Sequence, residues 1–284
     1  MSASILAMNK EQVRNVTDGY YNKMNKNIKK IEADFDVEAI HQFRVTYKKV
    51  RAFLRMLSAH HETAGEIRVS GHLKRCYALL GAIRDLQIHQ QQISEVTKKV
   101  LKKPIAYLKA IQNEIEKLQP ELAEVLNGKP VAASRIKTNA SIPHKFALNS
   151  LREFIEKKWI AIDAIISSKH FSDDNIHSIR KHLKDMFYNL NVFNNSEHDL
   201  LAQSFWKNKD ENYFEQLLTE LGNFQDKCTS IAFMKTYRLN SLTPNNKQLL
   251  NSIKTSWVKE KAAMKQRLVR KLKKDIVPVV AASE

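Results

Sequence analysis

Apolar side chains recur along most of this chain at intervals of three and four residues, the period of a helix with one buried face. That spacing predicts a first helix from about Asn9 to Ile31, and Asp36 in front of Val-Glu-Ala-Ile-His is the N-cap of a second that ends near Ser58. A third helical stretch is predicted from about Thr63 to Lys99. It contains Leu80-Gly81, where a missing side chain lets a neighbouring helix come close. Pro104 and Pro120 begin or interrupt a fourth. From about Asn127 to Pro143 the residues turn small and polar, which reads as an interdomain linker. The pattern then starts again, with a helix from about His144 to Ser168 and a helix start at Ser172-Asp173-Asp174. A long segment from about Asp199 to Arg238 follows, and Pro244 precedes a final helix to about Ile276. Four helices per half predict an all-α protein of two four-helix bundles, residues 1–130 and 143–284, joined by a linker over residues 131–142.

Composition agrees with long helices. There are 6 Gly and 6 Pro among 284 residues, few turn signals against 43% hydrophobic positions. The 47 Lys and Arg outnumber the 30 Asp and Glu by 17, a surplus that draws in polyanions in general: nucleic acid, an anionic membrane surface or a phosphate polymer. Cys76 and Cys228 stand at non-equivalent places in the two halves, without partners at metal-ligand spacing, and read as small apolar residues of a reduced protein. The apolar stretch near Met1 is too short for a secretory signal and no window is long enough to cross a bilayer, so a cytoplasmic protein without membrane contact is expected.

Where the charges fall is more informative than their sum. On a helix, His41, Arg44, Lys48, Arg51 and Arg55 share an arc of roughly 80°, opposite Ile40, Phe43, Tyr47, Val50, Leu54 and Leu57. The second half repeats the pattern with His177, Arg180, Lys181, Lys184 and Tyr188, opposed by Ile176, Ile179, Leu183, Met186 and Leu190. Each tract is followed by a second shared signature, Leu80-Gly81-Ala-Ile-Arg84-Asp85 and Leu221-Gly222-Asn-Phe-Gln225-Asp226. Two motifs repeated in the same order mean a duplicated unit. A stripe of donors without an acid suits an anion, because arginine and lysine hydrogen bonds to such oxygens are charge-assisted and guanidinium binds them bidentately. In the last helix Lys254, Lys261 and Lys265 project into the apolar arc and are candidates for a lined cavity. Arg14, Lys145 and Arg152 lie at the rims of theirs.

The histidine tract followed by Leu-Gly-x-x-Arg-Asp, each present twice, resembles the CHAD family, the conserved histidine α-helical domain, from about Arg14 to the last helix. The resemblance implies two four-helix bundles related by a pseudo-twofold axis, with a basic channel or groove between them that binds inorganic polyphosphate. It also implies a binding module and not an enzyme. The family pattern falls on His41, Arg44, Lys48, Lys49, Arg51 and Arg55 in the first repeat and on His177, Arg180, Lys184 and Tyr188 in the second. This chain departs from it at Asp185 and Phe187, where basic residues are usual, and at Gln225, which replaces the arginine beside Asp226.

The expected function is therefore non-catalytic binding of inorganic polyphosphate by these residues, with no cofactor and no metal. Polyphosphate granules or a polyphosphate-metabolising enzyme are the further associations in view. A nucleic-acid-binding helical protein is the alternative. It would call for aromatic side chains interleaved with the arginines for base stacking, whereas Phe43, Tyr47 and Phe53 fall on or near the core side. A di-iron bundle is a further alternative, since Glu38-Ala-Ile-His41 has the Glu-x-x-His spacing and Asp174-Asn-Ile-His177 echoes it. Arg44 and Lys48 on the same face oppose a metal there. Asp85 and Asp226 read as ion-pair partners that hold nearby arginines.

Overall fold

Asn9 starts the first long helix with a reciprocal cap: its side chain accepts from the Gln12 amide at 2.9 Å while its own amide donates to the Gln12 side chain at 2.8 Å. The computed structural model describes residues 7–59, 65–98, 103–193, 209–236 and 242–276. Strand β1 (Ala7–Asn9) leads into α1 (Lys10–Asp34), which Phe35 closes in the left-handed conformation with φ 53°. Helix α2 (Val37–Ala59) follows, with the Asp36 carboxylate accepting from the Ala39 amide as the sequence predicts.

Helix α3 (Gly71–Val96) begins at the Ser70 cap, later than Thr63, because the chain before it is held extended: the Ile67 amide donates to Ser58 Oγ and the Ser70 amide to Ser134 Oγ. Helix α4 (Ile105–Asn127) carries Pro120 within it.

The stretch expected to be a linker is instead helix α5 (Pro130–Ser141). Pro130 stands at its first turn, where no amide donor is needed, and Val131, Ser134 and Thr138 are buried at helical spacing. Its small polar residues point inward and are bonded there. Tyr21 Oη lies 3.3 Å from Ser134 Oγ and accepts from Thr138 Oγ1 at 3.0 Å, and Arg135 pairs with Asp18 at 2.7 Å. Composition alone could not separate such a helix from a loop, because Ser and Thr serve both.

The chain then forms β2 (Lys145–Ala147), antiparallel to β1, before α6 (Leu148–Ser167). Residues 145–147, expected in a helix, are thus strand: pairing with residues 7–9 satisfies their backbone. Helix α7 (Asp173–Leu190) starts at the Ser172 cap, and α8 (Glu211–Thr236) and α9 (Pro244–Asp275) complete the described elements. The predicted segment from Asp199 to Arg238 lies partly outside the described residues.

The all-α class holds, with one short strand pair among the described residues. In each half the helices pack on one another in sequence order, α1 through α4 and α6 through α9. The halves meet where α2 packs on α7 and on α6 and where α3 packs on α8. A continuous hydrophobic core joins them, running from Tyr21, Phe43 and Leu80 to Trp159, Met186, Phe224 and Trp257. The apolar sides of α2 and α7 build this core, so their polar sides are turned toward a common cleft.

Candidate functional site

Along α2 and α7 the basic residues recur every three or four positions, and the packing of the two helices brings both rows to one cavity of about 470 Å³. Arg44, Lys48, Arg51 and Arg55 line it from α2, and His177, Arg180, Lys181, His182, Lys184, Asp185 and Tyr188 from α7. Tyr77 and Asp85 of α3, Lys158 of α6, and Gln225, Asp226 and Thr229 of α8 complete the wall.

The two repeated motifs interlock here, and glycine is what permits it. A Cβ on Gly81 would stand 2.1 Å from Arg44 Nη1, and one on Gly222 would stand 3.3 Å from Arg180 Nη2. Each arginine of the histidine tract therefore lies across the glycine of the second signature in its own half. The aspartate one turn beyond the glycine answers the charge: Asp85 Oδ1 is 3.7 Å from Arg44 Nη2, and Asp226 lies within electrostatic reach of Arg180. The Arg44 guanidinium also sits 5.0 Å from the centre of the Tyr77 ring, which is stacked on Tyr47 at 3.9 Å.

Positive charge is gathered beyond what these carboxylates neutralise. Burial pushes Lys48 down to about 8, with Arg44 and Arg180 adding to the shift. Lys184 is pushed down to about 7 by burial first, then by Arg180 and Lys48. Burial also lowers Arg180, whose Nε has no protein partner among the described residues. Both Asp85 and Asp226 are raised, by burial above all, and each also feels the arginine of its own half; Asp85 further senses Asp226 across the cleft. His41 and His177 are lowered by burial and then by neighbouring cations, Arg84 for His41 and Lys181 and Arg180 for His177. At neutral pH both rings are uncharged hydrogen-bonding groups. Lys48 acts on both histidines, so the two motifs converge.

Not every expected residue arrives. His41 stands on α2 beside the cavity, outside its lining. Arg14, Lys145, Arg152, Lys254, Lys261 and Lys265 are also outside it. Arg14 is exposed and 3.7 Å from Asp18. Lys145 is exposed on β2, and Arg152 is exposed on α6. Lys261 and Lys265 each reach Asp173 at 2.8 Å and tie α9 to the start of α7. Lys254 is half-buried on α9 next to Ile253. Helical spacing placed these six near an apolar rim, but which neighbour faces that rim is a property of the packing. Arg55 lines the cavity with its guanidinium already held by Asp185.

Tyr77, Lys158, His182 and Thr229 line the site without having been singled out. Tyr77 lies one turn before Gly81, and Thr229 lies seven residues after Gly222, so continuing the helical face of the second signature would have found both. Lys158 and His182 carry no such signal. Among the described residues no group of three or more His, Cys, Asp or Glu side chains is placed to hold a metal ion. No helix among them is long and apolar enough to cross a membrane.

The family model for the CHAD domain matches residues 16–235. No curated protein matches the chain. Among solved structures, PptA from Streptomyces chartreusis is similar with a TM-score of 0.63 and 9% identity, over 92% of this chain and 99% of that one. The CHAD domain from the plant Ricinus communis is similar with a TM-score of 0.57 and 15% identity, over 96% and 91%. At such identities the likeness speaks for the fold.

Proposed function

The chain belongs to the CHAD domain family, and from that premise we propose that its cleft binds inorganic polyphosphate without breaking it. The observation that carries the reading is the convergence of Arg44, Lys48, Arg180 and Lys184 in one cavity, where burial works against the charges of Lys48, Arg180 and Lys184. Such a site is held together by the fold against electrostatic repulsion, and an anion relieves the repulsion. A linear phosphate polymer offers oxygens at short, regular intervals and no base edges, which matches a wall of guanidinium, ammonium and neutral imidazole donors.

Two features favour this over nucleic acid. Tyr77 is stacked against Tyr47, and the Tyr188 ring is flanked by Lys49 and Lys184 at 5.6 and 5.5 Å, so neither ring offers a bare face for a base. A non-catalytic role is supported by the engagement of Asp85 and Asp226 with the arginines. A module of this kind would bring its carrier to polyphosphate granules or to an enzyme that makes or consumes the polymer.

Charge reversal tests the reading. Arg44→Glu combined with Arg180→Glu should weaken polyphosphate binding by several orders of magnitude in calorimetric titration while far-ultraviolet circular dichroism is unchanged. Binding by the unaltered protein should also fall steeply as salt is raised, and polyphosphate should displace a DNA or RNA probe at far lower charge equivalents than the reverse. Normal binding by the folded double variant would remove the cleft from consideration.

A further inference from the structure

The two repeats are not equivalent at the cleft. Setting His41 against His177 aligns Lys49 with Asp185, Arg51 with Phe187 and Arg55 with Asn191. The second repeat has exchanged three basic positions for an acid, an aromatic ring and an amide. The acid is the informative one. Asp185 is buried at 7% exposure, and its carboxylate accepts from Arg55 Nε at 3.1 Å and from Arg55 Nη2, a two-pronged grip. Lys158 Nζ of α6 approaches the same carboxylate at 3.1 Å. His182 lines the cavity beside them, and its buried Nδ1 has no partner among the described residues.

A carboxylate held by a guanidinium fork and an ammonium has the donor set that a phosphate group would take in its place. We propose that Arg55, Lys158 and His182 form a further phosphate subsite of the cleft, which Asp185 occupies as a built-in competitor. The proposal rests on the polyphosphate reading and deepens it: ligand is confined to the part of the cleft around Lys48, Arg180 and Lys184, and the Arg55 end is closed by the protein's own anion. The joint between α2 and α7 does not depend on that carboxylate alone. Asn189 Nδ2 donates to the backbone oxygens of Ala52 at 3.1 Å and of Asp185 at 2.8 Å, and both bonds survive a change of the Asp185 side chain.

A double-mutant cycle with linear polyphosphate of one fixed length, read by calorimetric titration, tests this. Because Arg55 is already occupied, Arg55→Gln alone should weaken binding by less than about threefold, and Lys158→Gln likewise. Asp185→Asn should strengthen binding by about tenfold and steepen its salt dependence, since it adds ion pairs to the ligand. Arg55→Gln in the Asp185→Asn background should then cost about tenfold. Equal losses from Arg55→Gln in both backgrounds, or unchanged or weaker binding by folded Asp185→Asn, would overturn the proposal. If Asp185→Asn does not fold, the two single glutamine variants decide: a tenfold loss from either means that Asp185 excludes nothing. Arg180→Gln serves as the control for the parent reading. If the unaltered protein binds no polyphosphate, that reading fails first and is recognised separately.

Discussion

Lys48 and Lys184 set the chemistry of the cleft. In the free protein burial pushes them down to about 8 and about 7, below the roughly 10.4 of a lysine in an unfolded chain. Between roughly pH 7 and pH 10 the unfolded chain therefore carries protons that the folded one lacks, and the stability contributed by these two groups rises with pH through that window. Binding of a polyanion runs the other way, because it needs both ammonium groups. Polyphosphate affinity should be greatest below about pH 7, fall as pH rises through the two values, and be accompanied near about pH 8 by proton uptake. Titration in buffers of different ionisation enthalpy measures the uptake. Lys48→Met with Lys184→Met should flatten the pH dependence of both affinity and melting temperature, and dependences that persist would show that other groups set them.

At the scale of elements, the place where Arg44 of α2 lies across α3 is set by Gly81. Glycine within a helix ordinarily costs about 1 kcal/mol relative to alanine, so Gly81→Ala gains in helix propensity. The new Cβ, 2.1 Å from Arg44 Nη1, meets only the far end of a long side chain, so the helix stays and the guanidinium moves. We expect folded Gly81→Ala with polyphosphate binding weakened on the order of tenfold, about the worth of one charge-assisted hydrogen bond. At Gly222 the nearest approach is 3.3 Å, and Gly222→Ala should have the smaller effect. The same titration checks both, and the reverse order would disprove this account of the interlock. Helix α5 illustrates a different constraint. Its buried hydroxyls bond to Tyr21 of α1 and to the Ser70 amide at the start of α3, so it acts as a spacer that fixes these helices.

For the molecule as a whole, the continuous core predicts cooperative unfolding. Trp159, Trp206 and Trp257 all belong to the second half, whereas helices are spread through both. Tryptophan fluorescence thus reports the second half and, through Trp257 with its ring 6.0 Å from that of His89 in α3, its junction with the first, whereas far-ultraviolet circular dichroism reports helices throughout the chain. Their urea midpoints should coincide, and separated midpoints would mean that the halves unfold independently. Ligand bound across α2 and α7 should raise both midpoints together, since it binds only the folded form.

Helix class and the basic stripes follow from sequence because the 3.6-residue period is written into the order of side chains: Ile40, Phe43 and Tyr47 must be buried together, and Arg44 and Lys48 must then face elsewhere. Duplication of the two signatures also marked Gly81, Asp85, Gly222 and Asp226 before any fold was known. Spacing along one helix says nothing of what lies across from it. Only the tertiary structure decided that Lys261 and Lys265 are taken by Asp173, that Arg55 is taken by Asp185, and that Lys158 and His182 reach the cleft. The physical reason is that charge acts through space, so a cation's partner is chosen by helix packing, whereas amphipathic period is a property of neighbours in the chain.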